Sequence, residues 1–350
     1  MEPKHALVTG ATGVVGRNLL RYLATLPDWR VTAVSRRDPG IGAKVRHIAV
    51  DLSNRDVCTA RLGALTDVTH VFHAAYSEQP TAQQMCSVNR AMFANVLDAV
   101  EPIANRLQHI HVMQGTKYYG SHLGPFKTPA KEEDPRVDAP IFYYDLQDLV
   151  VARQRGRPWT WSAARPHAVI GFALGNPMNL STVVAVYATI NKALGMPLSF
   201  PGDTDAYRVL YQCTDADLLA RAMVWMATTP ACANQAFNIT NGDLIRWQNV
   251  WPRLSAFFDM PLAPPRSIKL VQEMADKGPV WDALVVKHGL KPHLYAEIAS
   301  WAYGDSVFAT DYDIISDVGK ARRLGFCDAV DTEQRFLDLF ATYRSERIIP

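Results

Sequence analysis

The sequence predicts an α/β fold built on a doubly wound parallel β-sheet with helices on both faces. Through the first two-thirds of the 350-residue chain, short β-branched runs alternate with longer amphipathic stretches, the pattern of a parallel sheet with helical crossovers. A glycine-rich segment at residues 10–16 joins the first such run to the first amphipathic stretch. From about residue 240, aromatic residues and prolines replace the alternation, so a smaller lobe is expected there.

The individual elements follow from this alternation. The region 83–100 is predicted to be a helix with one buried face, because Val88 begins a series of apolar residues that recur every four positions up to Val100. Strands are expected at 6–9, 30–35, 45–51, 70–75, 109–114 and 160–170, and further helices at 16–26, 143–155, 179–194 and 214–228.

Charge and composition exclude several classes of partner. The net charge is +2 and the basic residues are scattered, so neither a nucleic acid nor an acidic membrane surface is expected to bind. No apolar run approaches the ~20 residues of a membrane span, and no secretory signal is expected at the N-terminus. The five cysteines are widely spaced without a C-x-x-C pair, which predicts free thiols, no metal site and a cytoplasmic protein.

Residues 9–16 read T-G-A-T-G-V-V-G, between the first predicted strand and the first predicted helix. Glycines at this spacing allow a tight turn and let backbone N–H groups approach a pyrophosphate at a helix N-terminus. This context predicts a Rossmann-type dinucleotide site, with a glycine-rich turn that binds nothing as the alternative. The expected contacts are Gly10, Thr12, Gly13, Val14, Val15 and Gly16.

The second predicted strand ends in Ser35, Arg36 and Arg37, where an NAD site usually has an acidic residue. Two guanidinium groups suit a 2′-phosphate, and no carboxylate is there to repel it. NADPH/NADP+ is therefore the expected cofactor, with a solvated basic turn as the alternative. The glycine spacing is the variant associated with short-chain dehydrogenases, and by that resemblance the residues expected beside the adenosine are Asp51, Leu52 and Ala75.

These observations predict a Rossmann-type NADP-binding core in residues 1–175. Residues 176–350 are expected to complete the sheet and to form a smaller C-terminal substrate-binding lobe. That lobe is expected over the carboxyl edge of the sheet, where open α/β sheets bind their ligands. No independent linker or internal repeat separates the two regions, so they are expected to form one integrated unit.

One feature departs from short-chain dehydrogenases, which place a lysine four residues after the catalytic tyrosine. Gln147 lies at that spacing from Tyr143, and Asp148 from Tyr144. Gly115 also stands where such enzymes have a serine or threonine. Taken alone, these departures fit a degenerate, inactive fold.

Longer segments indicate a different explanation. Residues 114–119 read Q-G-T-K-Y-Y, and residues 141–148 read I-F-Y-Y-D-L-Q-D. The chain here resembles the progesterone 5β-reductase/iridoid synthase-like enone reductases, an atypical branch of the extended short-chain dehydrogenases whose segments read Q-T-G-x-K-x-Y and N-F-Y-Y-x-x-E-D. The likeness continues through 165–166, 213–217, 236–243, 279–281 and 301–305. The loop after residue 117 is longer than in the plant pattern, so the pocket need not keep the family's shape.

The resemblance implies NADPH-dependent reduction of a carbon–carbon double bond conjugated to a carbonyl. It carries the family's displaced lysine onto Lys117 and its catalytic tyrosine onto Tyr143, while Tyr144 takes that role if the helix register differs by one residue. The other expected cofactor contacts are Gln114, Tyr143 itself, Val169 and Met178, and the expected pocket wall includes Tyr76, Phe126 and Trp301. The implied partners are a small apolar enone or enal and, as the superfamily default, a second copy in a homodimer.

The chemistry supports this pairing of a phenol with an ammonium group. Hydride addition to the β-carbon moves charge onto the carbonyl oxygen and produces an enolate. A phenol hydrogen bond to that oxygen stabilises the transition state more than the ground state. We expect the ammonium of Lys117 to lower the pKa of the phenol from its usual ~10. The proton for the α-carbon is expected to come from solvent.

Two other functions share this fold and cofactor. A carbonyl reductase or 3β-hydroxysteroid-type dehydrogenase would move hydride to or from a C–O carbon, but alcohol oxidation depends on the missing helical lysine, as does sugar-nucleotide epimerisation. A non-catalytic NADP(H)-sensing protein would bind the nucleotide without turnover. The presence of both Lys117 and Tyr143 favours the enone reductase.

Overall fold

The computed structural model describes residues 3–173, 175 and 178–350. These residues form two compact units, each assembled from separate stretches of chain. The first unit contains the chain up to His167 together with residues 217–239 and 317–327, and the second contains residues 168–216, 240–316 and 328–350. The predicted division between 175 and 176 lies near the first change of unit, but the chain afterwards returns twice to the first unit.

The strands are β1 (Lys4–Thr9), β2 (Trp29–Ser35), β3 (Val45–Ala49), β4 (His70–His73), β5 (His109–Met113), β6 (Thr160–Arg165), β7 (Val169–Ile170), β8 (Leu198–Ser199), β9 (Thr214–Asp215), β10 (Gln235–Asn238) and β11 (Leu262–Ala263). The helices are α1 (Val14–Leu23), α2 (Arg55–Leu62), α3 (Ala82–Val100), α4 (Phe142–Gln154), α5 (Leu180–Ala193), α6 (Thr204–Arg208), α7 (Ala216–Thr228), α8 (Trp247–Phe257), α9 (Leu270–Glu273), α10 (Gly278–His288), α11 (Tyr295–Ile298), α12 (Trp301–Phe308), α13 (Gly319–Arg323) and α14 (Thr332–Ser345). Short 3₁₀ turns form at Thr116–Tyr119 and Pro230–Cys232.

The first unit contains a seven-stranded sheet in the order β10-β6-β5-β4-β1-β2-β3. Every neighbouring pair is parallel, which confirms the predicted fold class. The chain runs outward from β1 to β3 and then returns to β4 on the other side of β1. Ligands of such sheets bind at this reversal, beyond the carboxyl ends of the strands.

In the first unit, α1, α3, α4 and α7 form close to the predicted places, whereas α2 and α13 were not predicted. In α3, Met92, Val96 and Val100 are buried and belong to the core between helices and sheet, while Val88 is only partly buried. The N-terminus of this helix is capped by Thr81, whose hydroxyl accepts a hydrogen bond from Gln84 N.

The predicted strand at 160–170 is wrong as a single element. β6 ends at Arg165, where Pro166 has no N–H to continue the ladder. Ala168 then adopts a left-handed conformation with φ of 37°, and β7 pairs with β9 in a separate two-stranded sheet. The predicted helix at 214–228 likewise begins later, because Thr214 and Asp215 form β9.

The second unit is mainly helical and has an aromatic core. Phe200 packs edge-on against Trp251 with 5.2 Å between ring centroids, and Trp247 packs against Phe308 at 5.6 Å. These aromatic rings come from three different stretches of the C-terminal half, which explains why its sequence shows weak periodicity. The five cysteines are free thiols, as predicted. Within residues 3–173, 175 and 178–350, none of the helices has the length and apolar character to cross a bilayer.

Candidate active site

The glycine-rich segment forms a tight turn between β1 and α1. Gly10 has φ of 71°, and a Cβ atom there would lie 2.4 Å from Ala74 O at the end of β4. A Cβ atom on Gly16 would lie 2.3 Å from Gly10 O. Both glycines are therefore required by the close approach of backbone to backbone.

The N-terminus of α1 has the properties of an anion site. Gly13 precedes the helix without a capping side chain among the described residues, and the first turn contains no acidic residue. The first N–H groups of α1 are thus available to a phosphate, and the helix dipole favours negative charge at that end.

Arg36 and Arg37 are both exposed directly after β2. Ser35 is nearly buried, and its hydroxyl donates to Arg37 O at 2.6 Å, so it fixes the turn that carries the two guanidinium groups. Asp51 accepts hydrogen bonds from the backbone and hydroxyl of Ser53. These bonds, and more weakly the charge of Arg36, lower the pKa of the Asp51 carboxyl.

Leu52 and Ala75 occupy different environments beside this turn. Leu52 is buried in the core, and its carbonyl accepts from Asn95 Nδ2 at 2.9 Å. Ala75 is partly buried, two residues after the end of β4. Asn95 of α3 therefore holds the backbone at one of the predicted adenosine contacts, a role that the sequence alone did not reveal.

Gly115 and Tyr143 meet at the carboxyl end of β5. A Cβ atom on Gly115 would lie 3.0 Å from Tyr143 Oη and 3.4 Å from Pro166 O. The backbone of Gly115 is extended, with φ of 178°, so space rather than conformation favours glycine here. The absence of a side chain at Gly115 leaves room for the phenol of Tyr143. Short-chain dehydrogenases have a serine or threonine at this position.

The neighbours of Gly115 fix its backbone from both sides. Gln114 N donates to Ala164 O at 2.9 Å, and both the N–H and the hydroxyl of Thr116 donate to Pro166 O at 3.0 Å. Pro166 ends the pairing of β6 and supplies its carbonyl to this turn. The strand end beneath the Tyr143 hydroxyl is consequently rigid.

Tyr143 and Tyr144 have different surroundings. The Tyr144 hydroxyl donates to Tyr118 O at 2.6 Å and accepts from Val137 N at 3.0 Å, so backbone groups occupy it on both sides. Burial raises the pKa of Tyr143 well above the usual value, and the charge of Glu78 adds to this effect. The expectation that Lys117 lowers this pKa is therefore wrong for the protein described here.

Lys117 lies in the 3₁₀ turn that follows Gly115. Its side chain is exposed, but the surrounding protein desolvates the ammonium group and lowers its pKa, while Glu78 opposes this shift. Burial, with a smaller contribution from Lys117, lowers the pKa of His122 to about 4 and that of His167 to about 3. At neutral pH both imidazoles are therefore uncharged.

Gln147 occupies the position where the usual catalytic lysine would lie. Its Oε1 accepts from Gln114 Nε2 at 3.1 Å and from the guanidinium of Arg165 at 3.2 Å. Arg165 is buried, with 1% of its surface exposed, and its Nε donates to Gln114 Oε1 at 2.9 Å. A lysine at 147 would offer no acceptor and would place a second cation beside Arg165.

Arg165 also orders the aromatic residues after Lys117. Its guanidinium lies 3.3 Å from the ring centroid of Tyr118 and donates to Tyr119 Oη at 3.0 Å. Phe126, a predicted wall residue, packs on the same cluster, as do Tyr143 and Tyr144. The structure thus brings Phe126 close to the predicted catalytic tyrosine.

Tyr76 and Glu78 lie on the segment that follows β4. The ring of Tyr76 packs on Phe142 with 5.5 Å between centroids, and its hydroxyl donates to Glu78 Oε2 at 2.7 Å. Glu78 was not predicted as a site residue. Its position two residues after a predicted wall residue was the available signal.

Three predicted site residues belong to the second unit: Val169, Met178 and Trp301. Val169 pairs with Thr214 between β7 and β9. Met178 is partly buried, and Trp301 begins α12 with its ring 6.0 Å from that of Tyr295. Their roles toward the cofactor and substrate stay predictions.

Comparison with known proteins agrees with this arrangement. A family model described as a PRISE-like Rossmann-fold domain matches residues 44–350. The (S)-8-oxocitronellyl enol synthase of Catharanthus roseus is 34% identical, with 99% of this chain and 92% of that protein covered. The short chain dehydrogenase gsfE of Penicillium aethiopicum is 32% identical, with 99% of this chain and 100% of that protein covered.

Solved structures share the fold at low sequence identity. A short-chain dehydrogenase/reductase superfamily protein from Agrobacterium tumefaciens with bound NAD superposes with a TM-score of 0.69 at 16% identity, covering 98% of each chain. A UDP-N-acetylglucosamine 4-epimerase from Methanobrevibacter ruminantium gives 0.70 at 15% identity, covering 99% of this chain and 100% of the other. The chain belongs to the PRISE-like Rossmann-fold family, and it is an oxidoreductase of the extended short-chain dehydrogenase/reductase type.

Proposed function

We propose that this protein is an NADPH-dependent enone reductase, which reduces the carbon–carbon double bond of an α,β-unsaturated carbonyl compound. The observation that carries the proposal is the placement of the Tyr143 hydroxyl against Gly115, with Lys117 two residues further along the same turn. Gln147 and Arg165 fill the place of the helical lysine with a hydrogen-bonded network. The proton relay used for alcohol oxidation is therefore absent at that place, whereas two hydrogen-bond donors remain.

The residues of the first unit fit a dinucleotide with a 2′-phosphate. A Cβ atom at Gly10 would collide with Ala74 O and one at Gly16 with Gly10 O, and the uncapped helix N-terminus suits a pyrophosphate. Arg36 and Arg37 would hold the 2′-phosphate. When bound, the reduced nicotinamide supplies the hydride. The solved relative from Agrobacterium tumefaciens has bound NAD, which supports a nicotinamide cofactor here as well.

The raised pKa of Tyr143 gives the phenol a defined role. At neutral pH its hydroxyl keeps its proton, so it donates a hydrogen bond to the substrate carbonyl and continues to donate as that oxygen becomes an enolate. Lys117 contributes positive charge to the same oxygen. The charge of Glu78 raises the pKa of the ammonium and so opposes the desolvation that lowers it. The site thus needs no proton transfer in the hydride step.

The names of the relatives support an enolate-forming reaction. The relative from Catharanthus roseus is named an enol synthase, and an enol is an enolate that has been protonated on oxygen. The proposal extends this class of intermediate to the present chain. The source of the α-carbon proton is assigned to solvent, because protonation of an enol at carbon proceeds in water.

Paired substrates test the proposal. NADPH oxidation is measured with 2-cyclohexen-1-one and, separately, with cyclohexanone, for the wild type and Lys117→Met. The proposal predicts turnover of the enone alone, with cyclohexanone as product and a large loss in the variant. Turnover of cyclohexanone instead would make the protein a carbonyl reductase. Tight NADPH binding with no turnover of any enone would indicate a sensor.

The cofactor choice has its own test. The double variant Arg36→Ser, Arg37→Ser should raise the Kd of NADPH by about 100-fold, since each charge-assisted contact contributes roughly 1.5–3 kcal/mol. The Kd of NADH should change little, because NADH has no 2′-phosphate. Equal effects on both nucleotides would contradict the assignment of these arginines.

A further inference from the structure

The segment from Tyr76 to Glu78 is held rigidly at the edge of the candidate active site. Asn89 of α3 is buried, and its side chain forms hydrogen bonds with both backbone groups of Ser77. Ser77 N donates to Asn89 Oδ1 at 2.9 Å, and Asn89 Nδ2 donates to Ser77 O at 2.9 Å. The two residues that flank Ser77 therefore have fixed positions beyond the carboxyl end of β4.

A continuous series of contacts links Glu78 to the predicted catalytic tyrosine. Tyr76 donates its hydroxyl hydrogen to Glu78 Oε2 at 2.7 Å. Its ring packs on Phe142, and the ring of Phe142 lies 4.3 Å from that of Tyr143, centroid to centroid. The Glu78 carboxylate is thus hydrogen-bonded to Tyr76, and the ring of Phe142 packs on the rings of both Tyr76 and Tyr143.

The charge of Glu78 acts on both predicted catalytic groups. It adds to the effect of burial, which raises the pKa of Tyr143. It opposes the desolvation that lowers the pKa of Lys117. The charged and titratable groups that interact electrostatically with Lys117 are Glu78 and the neutral His122 and His167. Glu78 is exposed, so solvent screens much of its field.

The two ends of this group have opposite hydrogen-bonding properties. Tyr143 and Lys117 present donors, which suit a carbonyl oxygen. Glu78 and Tyr76 present acceptors, because a carboxylate has no proton and the Tyr76 hydrogen is already committed to Glu78. Among the described residues, the Tyr76 hydroxyl is the hydrogen-bond donor to the Glu78 carboxylate, so lone pairs on both carboxylate oxygens remain available.

We propose that Glu78, positioned by Tyr76, is a specificity-determining residue that accepts a hydrogen bond from a hydroxyl group on the substrate. The proposal rests on the enone reductase function and deepens it by naming hydroxylated enones as the preferred substrates. A carboxylate close to a developing enolate opposes the reaction, because both groups are negatively charged. Enones without a hydroxyl group therefore gain no benefit from Glu78. A hydroxyl donor compensates for this opposition by forming a charge-assisted hydrogen bond.

Substrate pairs of equal shape test this proposal. The kcat/KM values are measured for 2-cyclohexen-1-ones that carry a hydroxyl at C4, C5 or C6, each beside the analogue with a methyl group at the same carbon. The hydroxyl-to-methyl ratio should exceed one for at least one position in the wild type. In Glu78→Met it should fall by about tenfold, the value of one hydrogen bond to a charged acceptor of roughly 1.5 kcal/mol. Tyr76→Phe, which keeps the ring but releases the carboxylate, should give a smaller fall.

Two controls make the outcomes decisive. Glu133→Met removes another exposed carboxylate of the first unit and should leave the ratio unchanged. Ratios that are equal in the wild type and Glu78→Met would overturn the specificity proposal while leaving the enone reductase intact. If the wild type reduces neither 2-cyclohexen-1-one nor any substituted enone, the proposed function fails and this inference fails with it.

Discussion

The hydroxyl of Tyr143 lies directly over Gly115, with 3.0 Å between its oxygen and the place where a Cβ atom would be. This relationship explains why the sequence has glycine at position 115. The serine or threonine of related enzymes would compete with the phenol for this space, and its replacement by glycine lets the tyrosine reach the carboxyl end of β5. The catalytic geometry proposed for this protein depends on that space staying empty.

Replacing the two adjacent tyrosines should separate catalysis from stability. Tyr143→Phe removes a donor to the developing enolate and should lower kcat by about 100-fold with little change in unfolding free energy. Tyr144→Phe removes bonds to Tyr118 O and from Val137 N and should cost about 1–3 kcal/mol of unfolding free energy, with kcat largely kept. Steady-state kinetics and urea unfolding on both variants check this, and a reversed pattern would assign catalysis to Tyr144.

Gly115→Ala should impair the reaction without unfolding the protein. The added methyl group would lie 3.0 Å from Tyr143 Oη, which is closer than ordinary contact, so the phenol must shift by a few tenths of an ångström. We expect about a tenfold loss in kcat, because small displacements of catalytic groups have large effects on rate. The thermal midpoint should stay close to that of the wild type, since the backbone of Gly115 is extended. Full activity in this variant would exclude a catalytic Tyr143 at the observed position.

Gln147→Lys, which recreates the usual tyrosine–lysine spacing, should destabilise the protein. It removes the acceptor shared by Gln114 and Arg165 and introduces a cation beside a buried guanidinium. The expected loss of unfolding free energy is about 3 kcal/mol, measured by urea denaturation. Gln147→Glu keeps an acceptor and serves as the matched control with a smaller loss. Wild-type stability in Gln147→Lys would show that the network does not require an acceptor there.

Stability should fall as the solution becomes acidic, because several histidines are buried uncharged. Burial lowers the pKa of His70 to about 4 and that of His111 to about 3, against about 6.5 in the unfolded chain. Below pH 6.5 the unfolded chain therefore binds more protons than the folded one. Each such group then removes about 1.4 kcal/mol of unfolding free energy per pH unit until its folded pKa is reached.

The contribution of one group can be isolated by substitution. Unfolding free energies of His111→Gln, measured between pH 7 and pH 4, should show a shallower dependence on pH than those of the wild type. His288 is exposed on α10, so His288→Gln should follow the wild-type curve. Parallel curves for wild type and His111→Gln would mean that His111 does not contribute to acid sensitivity.

The sequence predicted the parts of the structure that depend on local pattern. The first five strands of the sheet appear at the predicted places with small differences at their ends, because runs of β-branched residues between turn residues are local signals. Residues 176–350 were expected to complete the sheet, but the position of the strand that does so, β10, was not predicted. It pairs with β6 only after the chain has passed through the second unit, and no local pattern encodes that return.

The candidate site likewise contains residues that a local sequence pattern predicts and residues that it does not predict. The close backbone approach at Gly10 and Gly16 could be predicted because both belong to a short motif, while the catalytic role of Lys117 stays a prediction. The role of Gln147 could not be predicted, since it arises from contacts with Gln114 and Arg165 on other elements. The charge of Lys117 was expected to lower the pKa of Tyr143. Burial and the charge of Glu78 instead raise it.

The position of hydride transfer tests the central claim most directly. NADPH carrying deuterium at the transferable C4 position is incubated with 2-cyclohexen-1-one, and the product is examined by NMR. The account predicts cyclohexanone with deuterium at C3, the former β-carbon. Deuterium at C1 of 2-cyclohexen-1-ol would contradict it, because hydride would then have been delivered to the carbonyl carbon.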